Sequence, residues 1–398
     1  MDFRVVIIGA GLSGLTLAHG LRRNGIEAIV YERDPAWDAR SQGYRIQLDA
    51  PGIAGLERCL PPELFELSLA TAGAPPGRVT VLDHRLAVRA DRAAAERPGR
   101  GTFSFAVNRA TLRQILLAGL PGAVHFGKRF ATYEHTSDGR VTARFEDSTT
   151  VTADLLVGAD GVGSAVRRQL LPQAQVEDAG LRLIYGKIPL PDGGAAELPK
   201  WLFDSIFTVV TGPGNTHIGL GPVNLARRPE VAASESAPPI SLSPVGDYVA
   251  CLVGASADHP LMPPFEELRR LDRTALRKLA GDIIGPDWHP DIHRILGRWD
   301  TETLFPLRIS TAQPVEQWDT QGVTLVGDAI HAMSPVLAMG ANTALRDAGE
   351  LTRMLSAALA ARTSPYEAVG RYEAKMLAYS SALVAASRRT GKERVGQR

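Results

Sequence analysis

Six residues near the amino terminus, Gly9-Ala10-Gly11-Leu12-Ser13-Gly14, and one carboxylate further along, Glu32, have the types and spacing that a dinucleotide pyrophosphate demands. The first glycine permits a tight turn, the second lets an anion approach the backbone, and the third lets a helix pack closely on a strand. The free N–H groups at the start of the following helix meet the phosphate charge. Glu32, at the end of the next strand, is placed to accept hydrogen bonds from a ribose hydroxyl. A lone GxGxxG is a weak signal, and its context is what strengthens it here. Arg4-Val5-Val6-Ile7-Ile8 is a short β-branched run of the kind a strand buried on both faces needs. Leu15 to Gly25 has apolar residues at helical spacing and an Asn24-Gly25 stop, and Ala28 to Tyr31 forms a second strand. The sequence therefore predicts a strand–helix–strand unit that binds an adenine dinucleotide, with FAD and NAD both open on this motif alone.

Two further segments narrow that choice. Val151 to Gly161 reads as a strand ending in Asp160-Gly161, followed by Ser164 and Arg167. Val323 to His331 reads as a buried strand ending in Gly327-Asp328. In this order behind an amino-terminal GxGxxG, the pair resembles the group A FAD-dependent monooxygenases, the p-hydroxybenzoate hydroxylase-like family with its salicylate and tetracycline hydroxylase branches. The resemblance implies that Asp160 lies near the pyrophosphate and the approach of NAD(P)H, and that Asp328 holds the ribityl chain. It also implies FAD contacts from Gly9, Gly11, Leu12, Ser13, Gly14, Glu32 and Arg33. Ser334 to Asn342 extends the likeness, with Pro335, Gly340, Ala341 and Asn342 as implied cofactor contacts. A glycine-rich turn opening a helix supplies N–H groups and a positive dipole end to negative charge developing on a flavin. The family usually carries Gly-Gln-Gly where this chain has Ala338-Met339-Gly340, so the first glycine and the glutamine are replaced. By the same resemblance Arg109, at a helix start, contacts the cofactor. Arg40 is similar to an arginine near the isoalloxazine in the tetracycline-hydroxylase branch, with Arg45 as the other residue that fits that place.

The elements between these motifs have a different texture. Leu181–Ile188, Ser205–Val210, Thr216–Leu220 and Asp247–Val253 alternate apolar and polar residues and predict antiparallel strands. The family uses such a sheet as a roof over the substrate. The stretch from Asn224 to Ser243 reads as a mobile loop, while Phe265–Ile284 and Thr352–Arg388 are helical in pattern. The expected fold is α/β: a Rossmann-like FAD-binding domain with an inserted antiparallel β-sheet substrate domain and a C-terminal helix. Its expected division gives 1–75, 101–180 and 299–355 to the FAD-binding domain, 76–100 and 181–298 to the substrate domain, and 356–398 to the helical end.

Composition excludes several other classes. Lys and Arg total 44 against 43 Asp and Glu, so there is no excess positive charge for a nucleic acid partner. No apolar run reaches the length of a membrane span. Cys59 and Cys251 lack a second cysteine at metal-ligand spacing and read as packed thiols. The apolar start lacks the basic lead-in of a signal peptide, which predicts a cytoplasmic protein. His289 and His293 have the spacing of a metal pair, but with no third ligand they read as a surface helix start, and no metal site is expected. Ser13 belongs to the phosphate turn and lacks the spacing of a hydrolase elbow. His331 fits either the flavin pocket or core packing.

The resemblance implies an enzyme in which NAD(P)H reduces FAD without a second nucleotide domain. A flavin C4a-hydroperoxide then transfers oxygen from O2 to an aromatic or polycyclic small molecule. No residue stands out as a catalytic base. A flavin halogenase is disfavoured because no Trp-x-Trp-x-Ile-Pro segment is present. An FAD-dependent oxidase or dehydrogenase acting on a non-aromatic intermediate, and a non-catalytic flavoprotein that binds a small ligand, are the alternatives.

Overall fold

Val5, Val6 and Ile7 have no exposure to solvent, as the β-branched run predicts. Their strand, Arg4–Ile8, lies in the middle of a five-stranded parallel sheet. The order is Val323–Leu325, Leu155–Gly158, Arg4–Ile8, Glu27–Tyr31 and Val124–His125. Burying each Val or Ile side chain of the central strand contributes roughly 1.5–3 kcal/mol. The computed structural model describes residues 3–39, 44–73, 77–93, 104–191, 198–236 and 240–398.

The segment 151–160, expected as one strand, is two. Thr150–Ala153 belongs to an antiparallel three-stranded sheet with Val141–Phe145 and Phe130–His135, and Leu155–Gly158 to the parallel sheet. Asp154 makes the break. Its carboxylate accepts from the Arg4 N–H at 2.7 Å and its own N–H donates to the Arg4 carbonyl at 3.0 Å. Both faces of the residue are thus tied to the start of the central strand, and the chain changes sheet there.

Helix Leu12–Arg23 follows the glycine turn and packs on helix Gly340–Ala360. At the crossing, a Cβ on Gly20 would lie 2.4 Å from Thr352 Oγ1 and 2.8 Å from Cys59 Sγ, so close approach requires glycine. The predicted helix Thr352–Arg388 is interrupted. Gly340–Ala360 ends before Thr363, and Pro365–Val395 begins with Ser364 accepting from the Glu367 N–H. Pro365 has no N–H to continue the first helix, but it suits the first turn of the second.

The second sheet has seven strands in the order Asp300–Ala312, Val176–Pro189, Tyr248–Ser256, Thr216–Val223, Phe207–Gly212, Arg78–Asp83 and Val88–Ala93. All neighbours are antiparallel except Phe207–Gly212 beside Arg78–Asp83. Alternation divides its faces. Ile184, Ile188, Val249 and Cys251 join Ile283, Trp288 and Ile292 of the outer helices in one core. Tyr185, Tyr248 and Ala250 form a separate cluster with Ala106, against which Tyr44 and Phe305 pack. Phe265–Ile284 is also two helices, Phe265–Leu268 and Arg273–Ile284, because Asp272 caps the second by accepting from the Ala275 N–H at 2.7 Å. The stretch expected as a loop from 224 to 243 contains the short helix Pro229–Ser234, started by its proline. Among the described residues no helix is long and apolar enough to cross a membrane.

Candidate dinucleotide and substrate site

The three glycines of the first turn do different things. Gly9 has φ +112°, and a Cβ on it would lie 2.4 Å from the Ala159 carbonyl oxygen. A Cβ on Gly14 would lie 2.1 Å from the Gly9 oxygen. These two glycines let the loop close on itself and on the neighbouring strand. Gly11 is different: a Cβ there would meet nothing within 4 Å, and the residue lines a cavity of about 800 Å³. Gly161 and Gly163, across the same cavity, are equally open. Backbone on both walls is therefore uncovered, as an anionic chain lying between them would require.

Glu32 lines this cavity while only 8% exposed. It accepts from the Ala10 N–H at 2.8 Å and the Asp34 N–H at 3.0 Å, which fixes the glycine loop to the end of strand Glu27–Tyr31. Arg33 lines the cavity beside it. Leu12 and Ser13 are buried in the first turn of the helix. A Cβ on Gly327 would lie 2.9 Å from Ser13 Oγ, so the Gly327-Asp328 turn lies against the first glycine turn.

Arg109 is the first residue of helix Arg109–Ala118, capped by Asn108, whose side chain accepts from the N–H groups of Ala110 and Thr111. Its guanidinium stands 5.3 Å from the centre of the Tyr44 ring and lines the cavity. Arg113, one turn later, was not singled out from the sequence. It donates to the Ala10 carbonyl at 2.9 Å and to the Trp37 carbonyl at 2.5 Å, and its position four residues after Arg109 was the available signal. Asp160 also lines the cavity. Its carboxylate, however, accepts from Ser164 Oγ at 2.5 Å and the Ala165 N–H at 2.7 Å, so it holds the start of helix Ala165–Leu170. Arg167 in that helix donates to the Ala329 carbonyl at 2.7 Å and the Val162 carbonyl at 3.0 Å, joining the two Asp-bearing turns.

Asp328 faces the glycine turn, with Oδ1 3.9 Å from where a Cβ on Gly340 would be. The residue is exposed to the open space at this turn but enclosed by protein behind, and that enclosure raises its carboxyl pKa. His331 and Arg109 pull in the opposite direction, and Asp347 adds to the rise. Pro335 begins a single 3-10 turn, Ala338 takes a left-handed φ of 53°, and Gly340 and Ala341 open the long helix. Asn342 is buried and fixes this turn to the ribbon made by Arg45–Leu48 and Phe105–Asn108. Its side chain accepts from the Asp49 N–H at 2.9 Å and donates to the carbonyls of Gln47 at 2.8 Å and Ala338 at 3.0 Å.

The opposite end of the cavity is aromatic. Tyr185 and Phe305 line it with ring centres 5.3 Å apart, and Tyr44 stands 5.8 Å from Tyr185. Lys187 lines it too, with Nζ 4.6 Å from the Tyr248 ring centre. Burial lowers the Lys187 pKa, with Asp300 opposing. Arg40 lies outside the described residues. His331 turns into the core. His289 accepts from the Asp291 N–H at 3.1 Å as the cap of helix Pro290–Gly297, and no group of potential metal ligands occurs among the described residues.

An FAD binding domain family matches residues 78–186 and 293–387, and an NAD(P)-binding Rossmann-like domain family matches residues 7–54. A dual O-methyltransferase/FAD-dependent monooxygenase of Phaeosphaeria nodorum is 32% identical over 89% of this chain, but the chain spans only 40% of that protein. The 3-amino-4-hydroxybenzoate 2-monooxygenase of Streptomyces cremeus is 30% identical, with 98% of this chain and 88% of that enzyme aligned. Among solved structures, an FAD-containing monooxygenase from Photorhabdus luminescens superposes with a TM-score of 0.82 at 30% identity, covering 99% of this chain and 98% of the other. Klebsiella pneumoniae HpxO, solved with FAD and uric acid, shares the fold with a TM-score of 0.76 at 23% identity, covering 99% of this chain and 89% of that one. With two glycine turns, an open cavity wall and this set of relatives, the chain belongs to the FAD-binding-domain family of FAD-dependent monooxygenases.

Proposed function

We propose that this chain uses NAD(P)H and O2 to hydroxylate an aromatic small molecule. The observation that carries the reading is a single cavity of about 800 Å³ running from Gly9, Gly11 and Glu32 to Tyr185 and Phe305. A dinucleotide end and an aromatic end thus share one space. Bound FAD would supply the hydride-accepting and oxygen-activating chemistry.

The chain's own residues bind and orient. Gly11 and the N–H groups at the start of the following helix would hold the pyrophosphate, and Gly9 and Gly14 give that turn its shape. Glu32 and Arg33 take the adenosine ribose side. Arg109 contributes positive charge along the cavity, and Asp160 keeps the opposite wall in place through its cap. Asp328 would hold the ribityl part of a bound FAD. Pro335, Gly340 and Ala341 would present backbone to a bound flavin, and the start of helix Gly340–Ala360 would favour negative charge there. Asn342 keeps that turn in register with the ribbon. The aromatic wall excludes water from the reacting region. Two free, buried thiols, Cys59 and Cys251, suit a cytoplasmic setting.

The test is a visible spectrum of the purified protein, followed by NADH and NADPH oxidation under air with a panel of phenols and polycyclic aromatics. Flavin bands, substrate-accelerated oxidation and incorporation of one atom from 18O2 are expected. Flavin retention with no oxygenated product from any aromatic overturns the hydroxylase reading in favour of an oxidase or ligand-binding protein.

A further inference from the structure

A second cavity, of about 220 Å³, lies between helix Ala50–Cys59 and helix Gly340–Ala360 and shares no lining residue with the dinucleotide cavity. Ala54, Gly55 and Arg58 line it from the first helix, and Arg346, Gly349 and Glu350 from the second. Two glycines let the helices touch. A Cβ on Gly55 would lie 2.3 Å from the Leu345 carbonyl oxygen, and one on Gly349 would lie 3.1 Å from the Gly55 Cα. Neither residue has a side chain to fill the crossing, so the longer side chains beside it stand around a hollow. Arg346 is half-buried, and its guanidinium lies 3.7 Å from the Tyr379 ring centre. Stacking of this kind uses the flat face of the group and leaves its N–H edge free. Neither Arg346 nor the exposed Arg58 finds a hydrogen-bond acceptor among the described residues. The one acid lining the cavity is Glu350, and its carboxylate already accepts from Lys375 Nζ at 2.9 Å and Arg353 Nη2 at 3.0 Å. Glu57, beside Arg58 in the sequence, does not line the cavity, because successive helical residues do not share a face.

Arg58, Arg346, Arg353 and Lys375 thus stand around one carboxylate that is already paired. Arg23 adds to the positive side, donating to the Arg58 carbonyl at 3.3 Å. Two guanidinium groups that share a cavity without an acceptor repel each other, and an anion between them would relieve the repulsion and fill their donors. The guanidinium fork matches the oxygens of a phosphate or carboxylate through parallel, charge-assisted hydrogen bonds. The glycine and alanine of the remaining wall offer little contact to a large apolar ligand. We infer that Arg58 and Arg346 form a second binding site, separate from the dinucleotide cavity, for a compact oxyanion: a phosphate group or a small polycarboxylate. The site does not depend on the hydroxylase reading.

The experiment is isothermal titration calorimetry of the FAD-loaded protein with inorganic phosphate and with citrate, against chloride at equal ionic strength, which screens non-specific attraction alike. At least one of the two oxyanions is expected to saturate with a Kd of about 1 mM or tighter. The phosphate and citrate arms separate the two sources of anionic oxygen. Arg58→Gln and Arg346→Gln should each weaken that anion by roughly 10-fold or more. Ala54→Glu keeps both arginines but places a carboxylate in the cavity, and should abolish the binding. Arg58 and Ala54 are exposed, so these two variants should keep the flavin content and unfolding midpoint of the parent, which are read before any anion is added. No saturation by either anion up to about 20 mM overturns the inference. So does an affinity that is unchanged in Arg58→Gln and Ala54→Glu, which would put the anion elsewhere on the protein.

Discussion

The imidazole of His331 lies 2.6 Å from the carboxylate of Asp347, and both side chains are enclosed in the protein. Burial alone would lower the His331 pKa, but the Asp347 carboxylate, helped by Asp328, raises it above the ordinary value. The same carboxylate accepts from the Gly327 N–H at 2.8 Å and from the Tyr379 hydroxyl at 2.5 Å. Arg346 stands over the Tyr379 ring, 3.7 Å from its centre. Asp347 therefore joins the turn that bears Asp328 to both long carboxy-terminal helices.

Removing that carboxylate should destabilise more than removing either of its donors. Asp347→Ala leaves the buried His331 imidazole, the Gly327 N–H and the Tyr379 hydroxyl without their acceptor, and breaking such a buried pair costs about 3–5 kcal/mol. Tyr379→Phe removes one donor and should cost only ~1 kcal/mol. Urea unfolding of the three proteins gives the order directly. Equal losses in the two variants would contradict a central role for Asp347.

Ala338 occupies a left-handed conformation, φ 53°, a region of backbone space that favours glycine. A non-glycine residue there costs about 1–2 kcal/mol in the folded state, and glycine's greater freedom in the unfolded chain offsets about 0.5–1 kcal/mol of the relief. Ala338→Gly should therefore stabilise the protein slightly, by about 0.5–1 kcal/mol, without loss of bound flavin. A fall in the unfolding midpoint would mean that the alanine methyl packs favourably enough to outweigh its strain.

The glycine turn, Glu32 and the helix start at Arg109 were legible in the sequence because each depends on residues close in the chain. The Gly327-Asp328 turn was legible as a strand end. The role of the Asp160 carboxylate was less so, since a strand ending in Asp-Gly does not say whether the carboxylate faces the cavity or caps the next helix; Ser164 and the Ala165 N–H decide this. The break at Asp154 depends on Arg4, 150 residues away, and could not be read locally. His331 reads locally as either pocket or core, because its partner, Asp347, comes from the following helix.

Gly11 and Gly14 should separate cofactor binding from folding. Gly11 has φ −80°, and an added side chain meets nothing within 4 Å, so Gly11→Val should change apoprotein stability by less than about 1 kcal/mol. It would fill the space between the cavity walls, and FAD content after purification should drop to near zero. Gly14→Ala forces a Cβ to 2.1 Å from the Gly9 oxygen and should destabilise the fold itself. Thermal unfolding and flavin absorbance of both variants check the contrast. Full flavin content in Gly11→Val would place the pyrophosphate elsewhere.

Glu373, on helix Pro365–Val395, has no exposure to solvent. Thr320 donates to Oε2, while Oε1 has no hydrogen-bond partner among the described residues. Burial raises its carboxyl pKa from 4.5 to about 7 despite the nearby polar groups of Thr320, Thr324 and Trp318. An acid whose pKa is higher in the folded state keeps its proton there while the unfolded chain gives it up. Stability is therefore undiminished by this residue below the unfolded value of 4.5, falls as pH rises from there, and levels off above about 7. The full shift corresponds to about 3 kcal/mol. Glu373→Gln keeps an acceptor for Thr320 and removes the ionisation, so it should be more stable than the parent by about 1–3 kcal/mol at pH 8 and indistinguishable near pH 4. Urea unfolding at several pH values tests this through the difference between the two proteins, in which the other titrating groups cancel. A difference that stays constant with pH would mean that Glu373 is ionised in the folded protein and that Thr320, Thr324 and Trp318 stabilise its charge.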